Sequence, residues 1–109
     1  MKKKVAFAVL TGGIANHPPC TNIKSLKTVE SVSMNAYSSN PGEAITRRLI
    51  EKVVREYPLT NPNCILGFNI VSYYDGAHHC LMAYGNPARI EQAPGLQEVV
   101  NFRYYEIDV

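Results

Sequence analysis

Hydrophobic and polar positions follow two rhythms along this chain. Between residues 41 and 57, Ile45, Leu49, Ile50, Val53, Val54 and Tyr57 recur every three or four positions or sit side by side, which makes one apolar helical stripe. Asn40 stands at the capping position, Pro41 suits the first turn, and Glu43 completes an Asn-x-x-Glu box. Pro58 stops the helix, and Asn61-Pro62-Asn63 keeps the chain irregular after it. Arg47, Arg48, Glu51, Lys52, Arg55 and Glu56 lie mostly off the stripe. They read as a solvated outer face, with an anion site on Arg47 and Arg48 as the alternative. The pattern predicts a one-sided helix lying on a sheet.

Beyond the helix the rhythm changes to period two. Residues 64–74 form the strongest strand signal, followed by Asp75-Gly76 and a second apolar run over 79–85. Asp-Gly between two such runs favours a two-residue hairpin turn, because both central residues then need positive φ. That turn would set Tyr74 against Ala77, Tyr73 against His78, Ser72 against His79, Val71 against Cys80, Ile70 against Leu81 and Phe68 against Ala83. One face would carry Leu66, Phe68, Ile70, Leu81 and Ala83 and receive the helix. The other would carry Ile65, Val71, Tyr73, Cys80, Met82 and Tyr84, too apolar to be simply wetted. Gly67 would lie under the Tyr84 ring. Residues 5–10 and 27–37 read as strands, with a loop over 12–22 between them. A β-type run over 99–109 follows Pro94-Gly95, with 96–109 an edge strand or an oligomerisation arm. The expected fold is a single α+β domain over residues 1–109, an antiparallel sheet with one long helix on one face in the order β-β-α-β-β-β.

Composition narrows the function classes. A chain of 109 residues with 46% hydrophobic and 18% charged content is sized for one globular domain, and it is too apolar to be disordered. No apolar run reaches the roughly 18–20 residues of a membrane-spanning helix. A net charge of +2 on scattered basic residues disfavours nucleic acid as a partner. Three cysteines give no disulfide framework and point to a reducing compartment. Lys2-Lys3-Lys4 before an apolar stretch mimics a signal peptide, but six apolar residues before Thr11-Gly12-Gly13 are at or below the usual length. Cytoplasmic localisation is the expectation.

The segment from Asn63 to Ala88 resembles the YbjQ-like family, known under a heavy-metal-binding label. The resemblance rests on Asn63-Cys64-Ile65-Leu66-Gly67-Phe68-Asn69-Ile70 after a helix and on Met82-Ala83-Tyr84-Gly85-Asn86-Pro87-Ala88 after a hairpin. With the helix it covers about half the chain, over roughly residues 43–88. Asn86-Pro87 stands where the family carries Thr-Ala, and the 12–22 loop departs from its glycine-rich N-terminal region. The resemblance implies a dodecin-like α+β subunit assembled into a ring-like homo-oligomer, often a pentamer, and implies little about activity. Two apolar sheet faces with one helix to cover them argue for self-association without the family name.

Candidate chemistry follows residue type. His17, Cys20 and His79 are the soft donors that suit zinc or copper, though neither Cys-x-x-Cys nor His-x-x-x-His is present, and neighbouring His78 and His79 point to opposite faces of a strand. Cys20 beside His17 or His79 is the alternative of a small Cys/His-dependent enzyme. Thr11, Gly12 and Gly13 after a strand could cradle an anion with backbone amides, and Tyr73 and Tyr84 offer stacking surfaces. The leading expectation is non-enzymatic binding or sequestering of a small ligand at or near subunit interfaces, with Tyr73, Tyr84, Thr11, Gly12 and Gly13 as its walls. The sequence names no cofactor and no catalytic set.

Overall fold

The computed structural model describes residues 2–11, 20–25, 29–36, 39–92 and 102–108, with the backbone alone for 20–25 and 92. The elements are β1 (Lys2–Val9), β2 (Cys20–Ser25), β3 (Glu30–Asn35), α1 (Pro41–Glu56), β4 (Cys64–Tyr74), β5 (His79–Gln92) and β6 (Arg103–Asp108). The fold is α+β, with a single helix and a mixed sheet among the described residues, in the order β2-β5-β4-β1-β6. β4 takes one edge of β5, so β2 and β3 share the other, β2 along residues 88–92 and β3 along 80–85. The part of the chain expected as a loop over 12–22 thus already enters a strand at Cys20.

The sheet is not wholly antiparallel. β1 pairs with β4 in parallel at Ala8–Cys64 and Val9–Ile65, while β6 pairs antiparallel along the other edge of β1. Ala8 N–H donates to Asn63 O at 2.9 Å and Leu10 N–H to Ile65 O at 2.9 Å. A contact between segments more than fifty positions apart leaves no local sequence signal, so only chain closure reveals it. β6 ends as an edge strand of its own chain's sheet, through pairs from Lys2–Asp108 to Phe7–Arg103.

α1 forms where the stripe predicts it, and Ile45, Leu49, Ile50 and Val53 are fully buried. Its start differs from the expected box. Asn40 occupies the capping position without a side-chain cap bond, and the Glu43 carboxylate lies 3.8 Å from Arg103 on β6. The helix touches β3, β5 and β6, so the sheet curls far enough for strands from both edges to reach it. Phe7, Ile65, Ala83, Tyr105 and Ile107 complete this core, with Val32, Met34, Ile70 and Leu81 packed at its margin. A second cluster of Ala8, Cys64, Leu66, Ala88 and Ile90 lies on the other side of the sheet.

The hairpin register corrects two expectations. The pairs are Tyr74–His79, Tyr73–Cys80, Ser72–Leu81, Val71–Met82, Ile70–Ala83 and Asn69–Tyr84, two positions further along β5 than a two-residue turn gives. Asp75 is the reason. Its Oδ1 accepts the N–H groups of Ala77 (2.9 Å) and His78 (2.7 Å), so the carboxylate holds a wider loop over 75–78. Past Asn69 the register slips by one at a bulge, where Gly67 adopts φ +62°. That slip exchanges the faces of everything before it: Ile65 joins the helix-side core, and Leu66 goes to the opposite cluster. Gly67 therefore sits in the bulge and not under Tyr84, whose partner is Asn69. Opposite the bulge, a side chain on Gly85 would collide with Ile65 Cγ2 and come within 3.1 Å of Leu66 O.

Candidate ligand-binding site

With Val32, Met34, Ile70, Leu81 and Ala83 turned to the helix, their alternate neighbours form the opposite face of β3, β5 and β4. The cross-strand rows are Ser31–Tyr84–Asn69, Ser33–Met82–Val71 and Asn35–Cys80–Tyr73. Val71, Met82 and Tyr84 are half-buried, Tyr73 is 40% exposed, and Ser31, Ser33, Asn35 and Asn69 are exposed. Asn69 Nδ2 donates to Tyr84 Oη at 3.1 Å and fixes that ring's outer end. The result is an apolar strip with an aromatic near each end and polar groups beside it. No described helix or strand lies over it.

The Tyr73 end carries the most reactive groups. Cys80 Sγ is buried, 3.4 Å from Asn35 Oδ1 and 3.6 Å from both Asp75 Oδ2 and His78 O. Burial, and then the neighbouring Asp75 charge, push the Cys80 thiol above its ordinary value. Asp75 is held below its usual range by the two backbone N–H groups it accepts. His78 Nδ1 lies 3.9 Å from Asp75 Oδ2, on the carboxylate that faces Cys80. A carboxylate beside a thiol keeps it protonated, so this arrangement opposes thiolate chemistry.

The residues expected to share a metal are separated. Cys20 pairs with Gln92 and His79 pairs with Tyr74, at opposite ends of the 14-residue β5, roughly 40 Å apart at the usual rise per strand residue. One chain therefore does not bring Cys20 and His79 to one ion or into one Cys/His pair. His17 lies outside the described residues, as does the Cys20 side chain. Among the described residues no three His, Cys, Asp or Glu side chains form a metal-holding group. Thr11 is exposed beyond the end of β1, and Gly12 and Gly13 lie outside the described residues. Tyr73 and Tyr84 do share one face.

Ser31, Ser33, Asn35 and Asn69 are the members of this face missing from the expectation. Alternation of Ser31, Ser33 and Asn35 with Val32 and Met34 carried the signal for three of them, and alternation with Ile70 carried it for Asn69; the wider loop over 75–78 sets Asn69 opposite Tyr84. A groove of about 480 Å³ runs between β3 and α1. There Lys52 Nζ donates to Ser31 O at 3.0 Å and Arg48 to Ser33 O at 3.5 Å. Arg48 thus covers a strand edge instead of forming an anion site with exposed Arg47. Among the described residues, no helix is long and apolar enough to cross a membrane. Compared with protein-family models, curated proteins and solved structures, the chain matches none.

Proposed function

We propose that the chain is a non-enzymatic binding protein that assembles with copies of itself and holds a small ligand against the helix-free face of its sheet. The observation that carries this reading is the strip of Tyr73, Val71, Met82 and Tyr84, half-exposed and flanked by Ser31, Ser33, Asn35 and Asn69. Stacking and apolar contact would come from the strip, and orientation from the amide and hydroxyl groups beside it. A second copy would supply the other wall, because a sheet face alone encloses nothing. The reading needs no nucleophile, which suits a thiol held protonated at Cys80.

Native mass spectrometry of untreated protein tests assembly and ligand together. The expected spectrum is a homo-oligomer with extra mass of metabolite size, reduced to a bare monomer by Met82→Lys; a ring of five is what the YbjQ-like resemblance implies. A bare monomer from the unaltered chain would overturn the reading.

A further inference from the structure

Two adjoining hollows of about 260 and 220 Å³ lie where the first half of β1 passes the end of α1 and the corner after it. They share Lys3, Val54, Asn61 and Pro62. Arg55 lines one and Arg89 the other, and no aspartate or glutamate lines either. This differs from the β3–α1 groove, where Glu51 and Glu56 stand among Arg48, Lys52 and Arg55. Neither Lys3 nor Arg89 makes an ion pair among the described residues. Arg55 is partly answered, since its Nη2 lies 3.3 Å from Glu51 Oε2 and also donates to Asp108 O at 3.0 Å. The cleft therefore keeps unbalanced positive charge.

Its walls are also held in place. Asn61 takes a left-handed conformation at φ +50°, its N–H donating to Tyr57 O (3.1 Å) and its carbonyl accepting from Arg89 Nη1 (3.2 Å). Asn63 grips β5 through both ends of its side chain, Oδ1 accepting Ile90 N–H at 2.9 Å and Nδ2 donating to Ile90 O at 3.0 Å. Pro62 between them is buried. On the facing side, parallel pairing of β1 with β4 stops at Ala8. Ala8 and Leu10 send their N–H groups toward β4, so by the two-residue period the peptide group of Ala6, a lining residue, is aimed at the cleft. Arg89, an aimed peptide group and an apolar floor of Val54 and Pro62 are thus set before any ligand arrives, which lowers the ordering cost of binding.

We infer that this cleft binds a small organic anion, its phosphate or carboxylate head between Lys3 and Arg89 and an apolar body against Val54 and Pro62. The site is built from residues other than those of the Tyr73–Tyr84 face and stands whether or not that face holds a ligand.

Calorimetric titration of the full chain at low salt with phenyl phosphate and with benzoate tests it, alongside amide shifts by NMR. At least one probe should bind saturably, with the largest shifts at Ala6, Asn61 and Asn63; the tighter of the two identifies the head. Lys3→Gln and Arg89→Gln should each weaken that probe about tenfold, as loss of a charge-assisted hydrogen bond does. Arg89→Lys should lose less affinity than Arg89→Gln, since a positive charge is kept although the guanidinium fork is not. Inorganic phosphate should bind about tenfold more weakly for want of an apolar body. Lys3 is exposed, so its variant carries the test even if loss of the Arg89–Asn61 bond unfolds the chain. Failure of both probes to saturate, shifts confined to the Tyr73–Tyr84 face, or equal affinity in Lys3→Gln would overturn the assignment. Inorganic phosphate binding as tightly as phenyl phosphate would overturn its apolar half.

Discussion

The two faces of the sheet carry similar residue types over β4 and β5 and meet different fates. On the helix side, Ile65 and Ala83 are fully buried against Ile45, Leu49, Ile50 and Val53. On the opposite side the strip divides at the Gly67 bulge. Cys64, Leu66, Ala88 and Ile90 are buried at one end, while Val71, Met82 and Tyr84 stay half-exposed at the other. Hydropathy marks both faces as buriable; α1 closes over Ile65 and Ala83 with Ile70 and Leu81 at its margin, while on the opposite face only the end before the bulge is buried. The half-exposed strip is where the proposed partner or ligand would sit, whereas residues under α1 serve the stability of the subunit.

The sharpest way to break this contrast is an equal insult on each side. Leu49→Asp puts an unpaired charge at a fully buried position, and the loss of about 4 kcal/mol or more would consume most of a typical domain's stability. Circular dichroism should then show no cooperative thermal transition. Met82→Lys, at a half-buried site, should leave the thermal midpoint of the monomer nearly unchanged and act on assembly instead. If both variants unfold alike, the faces are not different.

The next effect tests what joins the faces. Gly85→Ala drives a methyl group into Ile65 opposite the bulge and should cost about 1–3 kcal/mol in urea unfolding. Gly67→Ala meets open space but keeps positive φ, for a smaller cost of about 1–2 kcal/mol. A reversal of that order would show that backbone strain, and not close packing, sets the bulge.

A smaller effect concerns the margin of the helix-side core. The Glu30 carboxylate accepts Tyr57 Oη at 2.5 Å and lies 3.3 Å from Lys52 Nζ. The Tyr57 hydroxyl first, and Lys52 after it, hold its carboxyl below the ordinary value of 4.5, against an opposing burial cost. Glu30 is ionised in the folded chain at pH values where the unfolded chain has begun to protonate. Its contribution is therefore complete above the unfolded value and is lost as pH falls through it toward the folded one. Tyr57→Phe should cost about 1–3 kcal/mol at neutral pH and flatten the fall in stability below about pH 4.5, read from urea midpoints across pH. The smallest expected change is at Leu59, 98% exposed beyond the helix, where Leu59→Ser should move stability by less than about 0.5 kcal/mol.

Local pattern and chain closure contributed different things to this protein. The spacing of Ile45, Leu49, Ile50 and Val53, closed off by Pro58, was enough to place α1, because a helix is built from bonds between near neighbours. The long alternation around Asp75-Gly76 was enough for the β4–β5 hairpin and for Tyr73 and Tyr84 sharing a face, since a shift of two positions preserves parity. The bulge at Gly67 shifted parity by one, and nothing within the strand distinguished that glycine from an ordinary weak point. Only the tertiary structure could set β1 parallel to β4, place Cys20 and His79 at opposite ends of β5, and gather Lys3, Arg55 and Arg89 around one cleft. Those juxtapositions join segments tens of residues apart. Their free energy comes from the core that the whole chain closes, so no window of the sequence holds them.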